Sequence, residues 1–162
     1  MHTQIIIDFV REIGLAVHER AIEEPTFLPG IAVECGELVI DREKLAHPGD
    51  VLHEAGHLAI IEPSIRPTVT GDLMSNGGEE LAAVAWSYAA VVHLALHPSV
   101  VFHEEGDKGG AASVIENFES GPCVGVPLLE GFGMTRYQRE DVAGPDYPKM
   151  ASLTQSRDCR LI

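Results

Sequence analysis

Residues 51–60 read VLHEAGHLAI, two histidines four apart with a glutamate beside the first and apolar residues on both flanks. On a helix, positions four apart share one face, so His53 and His57 would project their rings where both can bind one ion. Glu54 would stand about 100° round the helix from His53. That suits it to take a proton from a water on the ion and suits it poorly to be a ligand. Two imidazoles with an adjacent base follow the HExxH logic of zinc hydrolases. A chain with eight histidines can also carry this spacing by chance. Three features favour the metal. The motif falls on a predicted helix, and Gly56 leaves room for a neighbouring element. The flanking Val51, Leu52, Leu58, Ala59, Ile60 and Ile61 imply burial, where a histidine without a partner is costly.

The chain around this stretch has the size of one ordinary domain, 162 residues, with 45% hydrophobic and 22% charged residues. Its formal net charge of -14 repels phosphate backbones, so no nucleic-acid partner is expected. Cys35, Cys123 and Cys159 are odd in number and scattered, with no CxxC pair, which fits a reducing compartment better than a disulfide framework. Asp8 and Arg11 interrupt the stretch where a signal peptide needs an apolar run. The expected location is therefore cytoplasmic. Residues 81–102 are nominally long enough to cross a bilayer. They include His93, His97 and Pro98, however, and are flanked by Glu79, Glu80, Glu104 and Glu105. A central buried helix is the expectation, with no membrane association.

Apolar residues at helical spacing (Ile6, Phe9, Val10, Ile13, Ala16, Val17) predict a first helix over 5–22, ended by EEPTFLPG. IAVECGELVID reads as a β-hairpin turning at Cys35 and Gly36. Asp50 is the expected N-cap of the HEAGH helix and Pro63 its stop. A loop, SIRPTVTGDLMSNGG, leads to a helix over 79–97 that Pro98 terminates. Beyond EEGDKGG a short helix is expected over 111–118, then Gly- and Pro-rich extended loops. The fold class is α+β: one domain over 1–162, helices packed on a small sheet, a core over about 5–97 and a loop-rich part over 98–162.

A catalytic zinc site needs a third protein ligand and an open position. Ile60 and Pro63 exclude a third histidine at the extended spacing, so the ligand must come from another element. Glu79 and Glu80 open the next helix. One can complement the helix dipole while the other reaches the metal.

HEAGH followed by a helix that begins EELAAVAWSYAA resembles the gluzincin clan of zinc metallopeptidases, above all its minimal members, over residues 5–97. The resemblance implies a minimal zincin-like domain with zinc as cofactor and a peptide or protein as substrate. It also implies Glu80 as third ligand, because Ala83 and Trp86 follow it at the clan's spacing. By the same resemblance, zinc on His53, His57 and Glu80 would activate a water, with Glu54 as general base. The hairpin strand over 37–41 would lie along the cleft, where a peptide could add as a further strand. The chain lacks the Asn before the glutamate and the Asp four residues after it that thermolysin-like enzymes carry.

The oxyanion of an acyl-transfer step needs a donor. His103 is the first candidate because it follows the glutamate helix, with Tyr88 and Tyr137 behind it. His93 and His97 repeat the four-residue spacing but have no glutamate between them, and their place near a helix end favours a capping role. The deformylase variant of this chemistry lacks its cysteine-bearing motif here. The second functional class is a latent or non-catalytic module on the same scaffold. A non-catalytic module has no reason to keep Glu54 as a base.

Overall fold

The computed structural model describes residues 1–73, 76–106 and 110–155. Among them are five α-helices and a three-stranded mixed sheet, an α+β arrangement.

Helix α1 (His2–Glu12) buries Ile6, Ile7, Phe9 and Val10. It ends well before residue 22. The N–H of Gly14 bonds the Arg11 carbonyl and that of Leu15 bonds the Val10 carbonyl, with Gly14 at φ 91°. This paired closure needs a left-handed residue, which glycine supplies without steric cost. The chain then turns into strand β1 (Val17–Glu19), which the helical spacing of Ala16 and Val17 had concealed.

Strands β2 (Ile31–Glu34) and β3 (Glu37–Ile40) form the expected hairpin, Glu34 opposite Glu37, with Cys35 and Gly36 at φ 51° and 76°. Two positive φ values in a two-residue loop match the right-handed twist of the flanking strands. The strand order is β1-β3-β2, so β3 is the middle strand. Both its edges are filled by β1 and β2, and a peptide cannot add to it. The outer edge of β2 is itself met by the chain leaving the next helix: Gly71 N–H bonds the Val33 carbonyl and Gly36 N–H bonds the Val69 carbonyl.

Helix α2 (Asp50–Ile60) carries HEAGH, with Gly49 at the N-cap and Asp50 as first helical residue. A Cβ at position 49 would lie 1.8 Å from the Val100 carbonyl oxygen, so the cap position has no room for an aspartate and the acid falls one residue later. Helix α3 (Gly77–His93) begins two residues before the expected start because Asn76 caps it. The Asn76 side chain accepts the Gly78 and Glu79 N–H groups at 3.0 Å, and the Glu79 carboxylate accepts the Asn76 N–H at 3.2 Å. This is a reciprocal capping box. The helix stops four residues before 97, where Ala95 turns left-handed at φ 53° and Leu96 N–H closes onto the Val91 carbonyl.

The alanine-rich stretch of α3 is a central buried helix, with Ala82, Ala83, Ala85, Trp86, Ala89 and Ala90 fully buried. No helix among the described residues is long and apolar enough to cross a membrane. Small side chains let α3 lie close against α2 across Gly56. A Cβ at Gly56 would come within 2.9 Å of the Ala83 carbonyl oxygen and 3.1 Å of the Trp86 ring.

Beyond residue 98 stand α4 (Ala111–Ser120), as expected, and α5 (Val126–Gly131), which the Gly- and Pro-rich composition hid. Pro127 at the start of α5 is a favourable position for proline rather than a breaker. The following loops are built, not loose. The buried Glu130 carboxylate accepts the N–H groups of Tyr137, Gln138 and Arg139, and Ala151 N–H bonds the Met134 carbonyl. Trp86 donates its indole N–H to the Leu153 carbonyl, and Gln155 N–H reaches the Ala59 carbonyl. Residues 151–155 thus lie against both α2 and α3.

Replacing Gly56 by valine should therefore force α2 from α3 and lower unfolding free energy by about 1–3 kcal/mol. Gly77→Ala points into open space and should leave it unchanged or slightly higher. Urea denaturation midpoints of the two variants compare them directly.

Candidate metal centre

Because α2 and α3 pack so closely, three side chains from the two helices converge. His53 Nε2 and His57 Nε2 lie 3.2 Å apart, with their rings edge to face. Glu80 brings Oε1 to 3.3 Å from His53 Nε2 and Oε2 to 3.2 Å from His57 Nε2. The three groups could hold a metal ion, and among the described residues no other such group of histidine, cysteine and acid exists. Two imidazole nitrogens and a carboxylate oxygen form a donor set suited to the borderline transition metals, not to calcium or magnesium. His57 is buried, whereas the Glu80 side chain is 46% exposed, so the centre is rooted in the core and open on the Glu80 side.

Of the two acids that could serve, the structure brings Glu80 to the histidines. Glu79 is occupied at the helix cap, one residue earlier on a different face.

The charges are strongly coupled. Hydrogen bonds from His53 and then His57 hold the Glu80 carboxyl far below the usual carboxylate range, against the opposing effect of burial. Burial depresses His53, but the hydrogen bond and charge of Glu80, aided by Glu54 and Asp50, outweigh it and leave the imidazole raised. Glu54 is raised above the ordinary range, chiefly by burial and against the charges of His57 and His53. Glu54 is thus a partly buried carboxyl on the same helix as the two imidazoles.

A cavity of about 470 Å³ opens beside His57. Ile60, Ile65, Val69, Leu73 and Phe132 supply apolar walls, and Glu62, Asp72 and Glu79 supply acids. Much of this wall comes from the stretch between α2 and α3. Sequence reasoning passed over it as a loop, although the alternation of isoleucine, valine and leucine with turn residues was the available signal.

His103 does not join the three ligand groups. Its Nε2 lies 2.8 Å from Asp50 Oδ1 at the start of α2, and its ring stacks on His47 at 3.8 Å between centroids. His47 in turn lies 2.8 Å from Glu105. The pair anchors the chain after α3 to the first turn of α2, and His103 Nε2 is committed to that contact. Tyr88 belongs to an aromatic stack with Phe102, Phe118 and Tyr147. Tyr137 donates its hydroxyl to the Pro122 carbonyl at 2.8 Å.

His93 and His97 are not brought together as ligands. His97 Nδ1 accepts the Ser99 N–H and caps the 3-10 turn Pro98–Val100, while His93 packs on Phe9. Cys35 and Cys123 are free thiols, and Cys159 lies outside the described residues. No protein-family model matches this chain, and no curated protein or solved structure matches it.

Exchange of Glu80 for glutamine should lower affinity for zinc or cobalt by at least tenfold, since the anionic donor is lost. Glu79→Gln should keep it, because glutamine still fits a capping box. Competition with a chromophoric chelator measures both. Equal losses in the two variants would mean that Glu80 does not ligate.

Proposed function

We propose that the protein is a zinc-dependent hydrolase, a gluzincin-type metallopeptidase on a minimal zincin-like domain. The observation that carries this reading is the convergence of Glu80 on His53 and His57, with Glu54 beside them on the same helix. Donors arranged tetrahedrally round zinc, at about 2.0–2.1 Å from it, stand about 3.3 Å from one another. The two ring nitrogens stand 3.2 Å apart, and Glu80 brings one oxygen to 3.3 Å from His53 and its other to 3.2 Å from His57, so its carboxylate is in reach of an ion held between the rings. The exposed side of Glu80 leaves access for water and substrate.

His53, His57 and Glu80 would hold the ion, which when bound would supply Lewis-acid chemistry for polarising a carbonyl and acidifying water. Glu54 takes the proton from the attacking water at its carboxylate and gives it to the departing amine. Its partial burial restricts competing solvent, while the apolar cavity beside His57 receives a side chain of the substrate. The substrate is a peptide or protein. A net charge of -14 argues against nucleic acid. The exposed free thiol of Cys35 fits a reducing, cytoplasmic location.

Glu54→Gln preserves size and leaves His53, His57 and Glu80 in place. Purified without chelator or polyhistidine tag, wild type and variant should each hold about one zinc per chain. Digestion of a peptide library, read by mass spectrometry, should show wild-type cleavage and a loss of at least a hundredfold in the variant. Zinc binding without cleavage by wild type would point to a non-catalytic module. Equal cleavage by both would remove Glu54 from the mechanism.

A further inference from the structure

A second cavity lies elsewhere. It measures about 750 Å³ and lies between the C-terminal half of α3 and the built loops that follow α5. None of the three metal-binding groups lines it. Val92, Tyr147, Met150 and Leu153 give it an apolar surface, His93, Arg136 and Lys149 give it nitrogen donors, and Asp146, the partner of Arg136, is its one acid. A cavity of this size, mostly apolar with a few convergent polar groups, has the make-up of a small-molecule site.

The cations are unusual for this chain. It carries only 11 lysines and arginines against 25 acids. Nearly every described basic side chain is already committed. Arg11 and Arg42 pair with Glu19, Arg20 with Glu34, Arg139 with Asp141, and Lys44 and Arg66 donate to carbonyls. Lys149 is the one lysine or arginine side chain that has no hydrogen bond or ion pair among the described residues. It lines the cavity together with Arg136, whose Nε is held 2.7 Å from Asp146 Oδ1, fixing the guanidinium in place.

The backbone under these groups is locked before any ligand arrives. The buried Thr135 hydroxyl donates to the Lys149 carbonyl at 2.7 Å, and Lys149 N–H bonds the Asp146 carbonyl at 3.0 Å. Tyr147 N–H bonds the Arg136 carbonyl, and its hydroxyl donates to the Ala85 carbonyl on α3. Such prior ordering removes part of the entropy cost of binding.

From this combination we propose that the cavity binds a small organic anion with an apolar body, of the class of medium-chain monocarboxylates. The carboxylate meets the Lys149 ammonium and the Arg136 guanidinium, and the hydrocarbon lies along Val92, Tyr147, Met150 and Leu153. Charge selects the ligand: among the described residues Lys149 is the uncommitted cation, and it stands at this cavity.

The molecule carries its own reporter. Its single tryptophan, Trp86, is fully buried and hydrogen-bonded to the carbonyl of Leu153, a lining residue. Decanoate titrated into the full chain should change Trp86 fluorescence saturably, with one equivalent bound by calorimetry. Decanamide, which lacks the charge, should bind at least tenfold more weakly. Lys149→Gln should weaken decanoate about tenfold and leave decanamide unaffected, while Lys149→Arg restores binding. Lys149 and Val92 are exposed enough for substitution without loss of fold, which the melting temperature verifies. Val92→Glu, placing a like charge in the wall, should abolish decanoate binding. No saturable binding at millimolar decanoate would overturn the proposal. So would equal affinity for the amide, or indifference to both Lys149→Gln and Val92→Glu.

Discussion

The close approach of α2 and α3 at Gly56 is the constraint on which the rest depends. With no side chain there, the Ala83 carbonyl and the Trp86 ring can lie against the α2 backbone. Any larger residue would widen the gap by about the size of the group inserted. The consequence is felt one turn away. The donor atoms of His53, His57 and Glu80 all lie within 4.8 Å of one another, and they sit on two separate helices. A shift of the helices of an ångström would separate the carboxylate from one imidazole or the other. The alanines of α3 serve the same end. They add little hydrophobic area each but permit a short interhelical distance, and Trp86 fills the space they leave.

Packing fixes the distance; capping fixes the register. Asn76 begins α3, and the box it forms with Glu79 determines which residues lie on the α2 side of the helix. Glu80 then follows immediately, half-exposed, turned to the two imidazoles instead of the cap. Two adjacent glutamates thus have different physical tasks, one satisfying backbone donors at the helix start and one offering a charged donor to the site. The same economy governs the histidines. His97 caps a short turn, His103 anchors the chain to Asp50, and His53 and His57 turn their ring edges to a point they share with Glu80.

The parts legible in the sequence were those governed by local periodicity and turn chemistry. The hairpin around Cys35 and Gly36, the HEAGH helix, the alanine-rich helix and the short helix from Ala111 could all be read from apolar spacing and punctuation. His53, His57 and Glu54 followed from helical geometry. Glu80 was preferred to Glu79 in the sequence only through a family resemblance; in the structure Glu79 closes the cap and Glu80 lies against the two imidazoles. The misreadings share one cause: a local signal was outweighed by a nonlocal one. Val17 fits a helix by spacing, yet Gly14 closes α1 and β3 offers Val17 a parallel partner. The hairpin's second strand looked available to a peptide until β1, invisible as a strand, occupied its free edge. Pro127 and Gly125 read as loop residues but are the start of α5.

The chain after α3 shows why composition alone misjudges such segments. Glycine and proline density suggests loose loops, but flexibility depends on whether backbone polar groups find partners. Here they do. A single buried carboxylate, Glu130, gathers three successive N–H groups, and Thr135, Trp86 and Tyr147 tie the loop to itself and to α3. The carboxyl of Glu130 is held below its ordinary range by those N–H bonds, from Arg139 and Tyr137 first, with burial opposing. An anion stabilised in this way organises the surrounding turn as a helix N-terminus organises around its cap. The two-helix unit that positions His53, His57 and Glu80 is therefore backed by an ordered wall, so a displacement of α3 must also disturb the bonds from Trp86 to Leu153 and from Tyr147 to Ala85.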